Sequence, residues 1–491
     1  MPDTPAVPGS PDEVIAGLRE LLAERDALIA ELTGQLEALR AQVADLAAQV
    51  RQNSRNSSRP PSGDGLARPA PKSLRGTSGR KPGRPKGQPG ATMGLSDHPD
   101  RVVRHEPGAC RGCGAGLAGA AVTGVERRQV TEIPPVKAEV TEHQLVERAC
   151  PCCGERTKAV APDGVGAPVQ YGPRAAALAT YLWHGQFLSR DRAAAALGEM
   201  FGCAPSPAVI AAMARKIAGL AGPALEAIVK ALTAAPVAHF DETGFRVAGK
   251  LAWVHSASAG KHVLVTVHAK RGKEGMDAAG VLPSFAGIAC HDAWKPYDSY
   301  DGVAGHSLCN AHLLRELIAV TETGAGMDKI WAQQAIDALL ALKQAAGAAR
   351  QAGRAAIDPQ VLAKHEKYFK DAATAGIALN ISRRTKLESK RHALATRMRD
   401  RRQDYLRFAC DLRVPFDNNP AEQVIRMSKL RIKVSGCMRS MAGAQTFCDI
   451  RSYLATAARH GIGWLDALTL AAQGTPWIPD PGTRQSRIHA A

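Results

Sequence analysis

A series of short apolar segments between Pro236 and Asn310 constrains the fold of this 491-residue chain more than any other feature. Three of them, VAHFD, KLAWVHSA and KHVLVTVHA, follow one another at hairpin distances and show the alternation typical of half-buried β-strands. A short helical pattern, RGKEGMDAAGVL, comes next, followed by two more apolar segments, GIACHD and GHSLCN. The sequence therefore predicts three strands, a helix and two further strands in one α/β unit.

This order of elements is that of an RNase H-like sheet, in which a carboxylate on the first strand lies beside one at the end of the fourth. Asp241 and Glu242 follow each other at the end of the first segment, and Asp292 ends the fourth. Because side chains alternate across a sheet, Asp241 shares a face with His239, whereas Glu242 shares the other face with Phe240. Only one acid of the pair can serve a given site. We expect Asp241 to be that acid and Glu242 to be a supporting or solvent-facing residue.

A third acid, Glu422, lies at the start of a predicted helix in the stretch DNNPAEQVIRMSKLRIKV. Asn419 and Pro420 have the character of an N-cap and a first helical residue. Glu422 then occupies the third helical position, from which a glutamate can complete a capping box with the Asn419 amide. The pattern alone leaves two interpretations of Glu422 open, a helix cap and a third acid of the site.

The N-terminal segment carries apolar residues at a spacing of seven between Ile15 and Val50, and a second apolar series lies three residues further along. Only Arg25 interrupts this seam. About five heptads of this quality predict a coiled coil, and β-branched residues at the first position with Leu at the second favour a parallel dimer. A helix that packs on its own domain is the alternative.

The formal net charge of +17 is typical of chains that bind a polyanion, most often nucleic acid, although a solubility effect is the alternative. Basic residues are dense between Arg51 and Lys86, where large apolar residues are almost absent, so the segment is expected to be a disordered linker when free. Lys81, Arg84 and Lys86 form a KPGRPK stretch similar to the Arg-Pro cores that enter the DNA minor groove. A basic linker that contacts phosphates explains the same residues equally well.

Two cysteine pairs, in CRGCG and CPCCG, predict a metal site. Cys110 with Cys113 and Cys150 with Cys153 supply four thiolates, a set that suits tetrahedral Zn²⁺ in a structural role. Cys152 lies inside the second pair and is expected to point away, although it can replace a neighbour.

The alanine-rich stretch from Pro173 to about Thr233 predicts several helices. A helix from about Arg190 to Met200, a glycine-containing turn and a second helix capped by Ser206 resemble a helix-turn-helix. An ordinary helical hairpin has the same spacing, so DNA recognition and simple helix packing both remain open for this pair.

Positive charge is also dense around the third acid. Between Asn380 and Ser440 sixteen Arg or Lys side chains outnumber six acids, which predicts a phosphate-holding surface with salt-dependent binding. A solvated helical face explains part of this charge. Lys429, Arg431 and Lys433 recur at every second residue, an arrangement that would place them on one face if KLRIKV is extended.

The stretch from Asp241 through HDAWKPY and CNAHLLREL to DNNPAEQVIRMSKLRIKVSG and QTFCDIRSYLATAARHGI resembles the transposases of the insertion sequence 66 family. Members also carry a leucine-zipper segment, a linker like residues 56–61 here and a four-cysteine zinc module, so the resemblance covers nearly the whole chain. It implies that Asp241, Asp292 and Glu422 are the catalytic acids. The family more often shows Asp-Gly-Tyr around the second acid, where this chain has Asp-Ala-Trp.

The resemblance and the patterns together predict a multidomain chain. His312 and Arg315 match a His-x-x-Arg of the family and are expected to be either core or DNA-facing residues. The predicted parts are a coiled coil (12–51), a basic linker (52–100), a zinc module (101–165), a helical DNA-binding region (170–234), an RNase H-like catalytic domain (235–475) with a helical insertion (about 311–414), and a loose tail (476–491).

The activity that the resemblance implies is that of a DDE transposase, which cleaves DNA at the ends of a mobile element and joins them to a target. Mg²⁺ or Mn²⁺ at the three acids and structural Zn²⁺ are the implied metals. The implied partners are element ends, target DNA, a second copy of the chain in a homodimer or higher oligomer, and small accessory proteins. Without a signal sequence or membrane span, the expected location is the bacterial cytoplasm, at the nucleoid. A DNA-binding regulator or degenerate transposase without catalysis, and an RNase H-like nuclease, are the alternatives.

Overall fold

The computed structural model describes most of the chain. Lys81, Arg84 and Lys86 of the predicted minor-groove segment lie outside the described residues, as do most of the predicted linker and the end of the tail. The described residues are 10–53, 56, 93–324 and 326–480.

Within these ranges the chain forms seven β-strands and fourteen α-helices. The strands are β1 (Glu147–Ala149), β2 (Arg156–Lys158), β3 (Val237–Val247), β4 (Lys250–Ala259), β5 (His262–His268), β6 (Ile288–His291) and β7 (Gly305–Leu308). The helices are α1 (Pro11–Val50), α2 (Pro173–Thr180), α3 (Arg190–Phe201), α4 (Pro207–Leu220), α5 (Gly222–Thr233), α6 (Lys273–Ala278), α7 (Asn310–Thr323), α8 (Met327–Gln351), α9 (Pro359–Leu379), α10 (Lys386–Asp400), α11 (Arg402–Cys410), α12 (Asn419–Ser435), α13 (Met441–Arg459) and α14 (Trp464–Ala472).

The N-terminal segment is one helix of 40 residues, α1. It begins with a capping box in which the Ser10 hydroxyl accepts from the Glu13 amide and the Glu13 carboxylate accepts from the Ser10 amide. The apolar residues of the heptad seam, such as Leu32, are exposed along its length. The helix is therefore long enough for the predicted coiled coil, and its apolar stripe has no cover from the described residues.

The central sheet has five strands in the order β5-β4-β3-β6-β7, which confirms the predicted strands and the α/β character of this part. β3, β4 and β5 are antiparallel neighbours, whereas β6 and β7 run parallel to β3. β3 does not end at Asp241, as the pattern suggested, but continues to Val247. The continuation is favoured because the antiparallel pairing with β4 extends to its last residue.

The sheet edge formed by β5 is covered by α13. The Ser452 hydroxyl accepts from the Val265 amide at 2.8 Å and the Thr456 hydroxyl accepts from the Val263 amide at 3.1 Å. These hydroxyls are one helical turn apart, so they match the amides on the outer side of the strand. A helix thus satisfies donors that an open sheet edge would present to another strand.

The helical region from α2 to α5 contains the predicted hairpin. Gly202, with a φ of 70°, follows the last residue of α3 and caps that helix. The Ser206 hydroxyl caps α4 by accepting from the Val209 amide. Ile217 of α4 and Leu468 of α14 are both fully buried in a core that also includes residues of α13. The hairpin therefore packs into the same body as the C-terminal helices.

None of the described helices is by itself long and apolar enough to cross a membrane. Only α4 and α5 taken together meet the length and composition criteria, and they are bent by 50° at the break between them.

Five helices, α7 to α11, fill the chain between β7 and α12. They surround a core in which Trp331, Phe369 and Met398 are almost completely buried, and this core also includes residues of β6 and β7. Asn56 lies shortly after the last residue of α1, and its side-chain amide donates to the Glu322 carboxylate of α7 at 2.6 Å. The helical segment is thus contacted by the N-terminal region as well as by the sheet.

Candidate functional site

The register of the sheet places two of the predicted acids side by side. β3 and β6 pair in parallel as far as His239 opposite Cys290, and the same register continued by two positions would set Asp241 opposite Asp292, which follows the last residue of β6. Neighbouring strands lie about 4.8 Å apart, and residues opposite each other point to the same face. Asp241 and Asp292 are therefore adjacent, at the carboxyl ends of the parallel pair.

Asp241 is held in a strongly negative and poorly solvated position. Burial raises the pKa of its carboxyl group well above the usual range, and the negative charges of Glu242, Asp292 and Glu422 raise the pKa further. The carboxylate accepts one hydrogen bond, from the Glu242 amide at 2.9 Å. Such a concentration of acids favours either a proton or a cation between them.

The third acid reaches this position because the start of α12 is fixed to β3. The Asn418 side-chain amide donates to the Phe240 carbonyl at 2.7 Å, and its oxygen lies 2.8 Å from Nδ1 of His239. Asn418 is almost completely buried. These two bonds hold the first turn of α12, which carries Glu422, against the strand that carries Asp241.

The capping interpretation of Glu422 is wrong, because α12 begins at Asn419 without a side-chain capping bond. Glu422 instead accepts from Arg426 at 3.0 Å, one turn further along the helix. Its other carboxylate oxygen, Oε1, is buried without a hydrogen-bond partner. Cys309 and His312, at the start of α7, each bring a ligating atom close to this carboxylate.

Glu242, the neighbour of Asp241, is a supporting residue and is not solvent-facing. Its side chain is only 1% exposed and accepts from Arg271 at 2.8 Å and from the Tyr297 hydroxyl at 2.7 Å. Burial and the nearby Asp292 raise the pKa of its carboxyl group. Trp294, in the Asp-Ala-Trp variant of the motif, lies 3.9 Å from the Arg271 guanidinium and so holds that cation in place.

This buried pair leads to a stability prediction. Arg271→Leu should lower the free energy of unfolding by about 2 kcal/mol, because it leaves the Glu242 carboxylate buried without its cation. The change is measured by urea unfolding of the full chain. Adding Glu242→Gln to Arg271→Leu should recover most of the loss, since the uncompensated charge is then removed.

The matched control is Arg399→Leu, which removes an equivalent contact to Asp400 at the surface. Both side chains of that pair are more than half exposed, so the change should cost less than about 1 kcal/mol. Equal losses for Arg271→Leu and Arg399→Leu would contradict the assigned role of the buried pair.

The two cysteine pairs adopt the same local structure. The Cys110 amide donates to the Ala115 carbonyl and the Cys150 amide to the Glu155 carbonyl, each at 2.8 Å. The glycine after each pair, Gly114 or Gly154, has a positive φ of 75° or 77°. Each turn aims backbone amides at its first sulfur. The Cys113 and Cys153 amides accordingly lower the pKa of the Cys110 and Cys150 thiols.

The two pairs are not brought together into one four-thiolate cluster. Among the described residues, the one group of three or more metal-ligating side chains whose ligand atoms lie within 4.8 Å of one another is Cys309, His312 and Glu422. Residues around the cysteine pairs are almost all exposed, so no apolar core draws the two turns together.

Much of the positive charge around α12 is used in ion pairs. Nine of the sixteen cations between Asn380 and Ser440 lie within 4.0 Å of an acid, including Arg426 with Glu422. The exposed cations that have no ion-pair partner among the described residues are Arg383, Arg384, Lys390, Lys429, Lys433 and Arg439.

The expectation of an extended KLRIKV segment is wrong. These residues continue α12, because one side of this helix packs on β3 and β4. Residues two apart lie on opposite sides of a helix, so Arg431 points inward, is 5% exposed and donates to the Gly436 carbonyl. Lys429 and Lys433, four residues apart, share an exposed face.

Several site residues escaped the sequence analysis. Asn418 and Tyr297 lie close to Glu422 and Asp292 in sequence, within DNNPAEQ and HDAWKPY, but nothing in those stretches shows which side chains they bond. Arg271 lies in a loop away from all three acids, so only the folded arrangement shows its contact with Glu242. For Cys309 the sequence does contain an indication of a metal ligand. It precedes His312 by three residues, and short spacings between Cys and His are typical of metal sites.

Comparisons with known proteins find family models that match parts of this chain. The model of a family described as "Transposase IS66 family" matches residues 168–446, and one described as "zinc-finger binding domain of transposase IS66" matches residues 107–154. A model of a family of unknown function matches residues 11–93. No curated protein matches the chain.

Proposed function

The chain belongs to the IS66 family of transposases, and we propose that it cleaves the DNA ends of a mobile element and joins them to a target, with Asp241, Asp292 and Glu422 as the catalytic acids. The observation that carries this proposal is the parallel register of β3 and β6, which supports a shared site for Asp241 and Asp292. The anchoring of α12 to β3 through Asn418 supports Glu422 as the third member.

An RNase H-like catalytic domain is part of the proposal. The strand order β5-β4-β3-β6-β7, with the first three strands antiparallel and the last two parallel to β3, supports it. In this arrangement α7 to α11 are an insertion between the last strand and the helix that carries the third acid. The insertion leaves the acids at the edge where the parallel strands end.

The donor set at the acids fits a pair of hard divalent cations. Asp241, Asp292 and Glu422 offer only oxygen atoms, as Mg²⁺ prefers. Burial, and after it the nearby negative charges, raise the pKa of Asp241, and a bound cation would offset both effects. Asp241 would hold both ions, Asp292 one and Glu422 the other. When bound, such ions activate the attacking hydroxyl or water and stabilise negative charge on the phosphate and the leaving oxygen.

The remaining residues of the site would position these acids. The Asn418 bonds to His239 and Phe240 hold α12 at a fixed distance from β3. The Trp294 amide donates to Asp292 at 3.1 Å and orients that carboxylate. Arg426 occupies one oxygen of Glu422 and limits its rotation. Preorganised ligands of this kind lower the reorganisation needed in the transition state.

The test is a cleavage and joining assay on DNA that carries the flanking inverted repeats, with and without Mg²⁺. The proposal expects metal-dependent nicks at the element ends, followed by products in which the freed 3′ end is joined to a second DNA. Cleavage without joined products would favour an RNase H-like nuclease. Binding of the ends without cleavage would favour a DNA-binding regulator.

We propose that the exposed face of α12 that carries Lys429 and Lys433 contacts DNA phosphates next to the acids. Replacing both lysines by Ala should weaken binding at every sequence alike and lower the slope of log K against log salt by about 2. The control is Arg399→Ala, because Arg399 is already paired with Asp400. An unchanged salt slope in the double variant would place the DNA elsewhere.

We also propose that α1 pairs with α1 of a second copy in a parallel coiled coil. The exposed seam around Leu32 supports it, since this stripe has no cover in the described part of the chain. Leu32→Asp should weaken the dimer by at least about 100-fold, because two carboxylates enter the seam. Light scattering across a concentration series measures this change. Ala30→Asp, outside the seam, is the control, and loss of the dimer in both variants would count against the seam.

A further inference from the structure

Two side chains to which no role has been assigned, Cys309 and His312, lie beside the third acid, Glu422. Cys309 directly follows β7, His312 lies in the first turn of α7, and Glu422 lies in the first turn of α12. One ligand atom from each lies within 4.8 Å of the other two. The sequence distance between Cys309 and Glu422 shows that two separate elements of the fold build this cluster.

The cluster has polar atoms that the protein itself does not satisfy. Nδ1 of His312 and Oε1 of Glu422 are both buried without a hydrogen-bond partner. An unsatisfied buried polar atom costs about 1–3 kcal/mol, so two such atoms at one point are unfavourable unless something binds them. A cation between them would satisfy the carboxylate and the imidazole together.

The third donor is held in place from outside the cluster. The Asn418 amide donates to the Cys309 sulfur at 3.3 Å, and Asn418 is the residue that fixes α12 to β3. Outer contacts of this type orient the ligands of metal sites. One buried residue thus contacts both sides of the cluster, since the backbone amide of Asn418 donates to Cys309 and its side chain holds the start of α12 against β3.

The donors select a different metal from the one proposed for the acids. Sulfur and imidazole nitrogen suit a borderline ion such as Zn²⁺, whereas Mg²⁺ prefers oxygen. Bonds of about 2.0–2.3 Å put tetrahedral zinc ligands within about 4 Å of each other, so small side-chain shifts suffice here. Three protein ligands also leave a fourth position for water or another group.

We propose that Cys309, His312 and Glu422 bind one Zn²⁺ ion through sulfur, an imidazole nitrogen and Oε1 of the carboxylate. This ion is additional to the zinc of the cysteine module. The binding site does not depend on catalysis, but its effect on activity rests on the proposed function. Zinc would fix Oε1, and Oε2, which already accepts from Arg426, keeps a further lone pair for the acid site. His312 therefore acts as a positioning residue for the third acid.

The experiment counts zinc in the full chain. Protein is loaded with excess Zn²⁺, desalted and measured by mass spectrometry of the metal, with circular dichroism as a check of folding. The wild type should hold two ions per chain, and His312→Ala and Cys309→Ser should each hold one. His365→Ala is the matched control, since Nδ1 of His365 is likewise buried without a partner. It should keep two ions.

Co²⁺ substitution gives a second measure that does not depend on how well a variant retains zinc. A site with one thiolate has a weaker sulfur-to-metal absorption than a four-thiolate site, and His312→Ala should remove only the weaker component. A wild type with a single ion, or an unchanged count of two in folded His312→Ala, overturns the proposal.

Glu422→Gln separates this inference from the proposed function. A fall to one zinc ion with DNA cleavage intact would support the zinc site and exclude Glu422 as a catalytic acid. Loss of cleavage with both zinc ions retained would support the catalytic role and overturn the zinc site.

Discussion

Asp241→Asn is expected to lower DNA strand cleavage by at least about 10³-fold, the scale observed when a group that stabilises transition-state charge is removed. Asn has nearly the same shape as Asp, so the packing between β3 and β6 should persist. The negative charge, however, is lost at the one position that Glu242, Asp292 and Glu422 all influence. Binding of the element ends should change by less than about twofold, because the exposed lysines of α12 are untouched.

The measurement is the single-turnover rate of nicking on labelled end DNA, together with a binding titration on the same DNA. The matched control is Asp301→Asn, an exposed acid nine residues after Asp292 that has no place in the site. It should cleave like the wild type. Full cleavage by Asp241→Asn would remove the acid pair from the mechanism, whatever the fate of Glu422.

The sheet was predictable because its strands have a simple pattern and short connections. The alternation from Val237 onward and the hairpin spacing predict the strands, and the last residue of GIACHD predicts that Asp292 lies near Asp241, just beyond the parallel pairs of β3 and β6. The same parity separates Asp241 from Glu242. Register carries side-chain direction with it, so local patterns were sufficient to predict that Asp241 and Asp292 lie close together; their catalytic role stays a prediction.

The rest of the site depends on contacts that local patterns do not encode. Glu422 fits a capping box by sequence, but the buried bonds of Asn418 to β3 determine where α12 begins. KLRIKV alternates like a strand, yet it continues a helix because one side of that helix packs on the sheet. The partner of Glu242 is Arg271, a loop residue that the sequence alone would place at the surface. Only the tertiary structure brings the two side chains together.

Helix packing likewise explains why the 170–234 region looks separate in sequence but not in structure. Its alanine-rich helices have small side chains that allow close approach, and Ala214 of α4 is completely buried in the core that includes Tyr453 of α13. A helix-turn-helix pattern describes the local geometry of α3 and α4. The pattern does not show that the apolar face of α4 packs against α13 and α14.

Cys150→Ser is expected to remove one zinc ion per chain and to leave the 101–165 region open to proteolysis. The two cysteine turns have matching backbone bonds and lowered thiol pKa values, but nearly all residues around them are exposed. Without a core, the free energy that orders this module has to come from the metal, for which apparent values in small zinc modules are about 10–16 kcal/mol. Loss of one thiolate should therefore unfold the module alone.

The control uses the cysteine that lies between two predicted ligands. Cys152→Ser removes the same kind of sulfur atom, two residues after Cys150 and one before Cys153. This variant should keep the zinc ion and the protease resistance, whereas Cys153→Ser should lose both. The melting temperature of the sheet domain should stay within about 2 °C in all three variants, since its core receives nothing from this module. If Cys152→Ser loses zinc and Cys153→Ser keeps it, the second turn binds through Cys152, and the equivalence of the two turns fails.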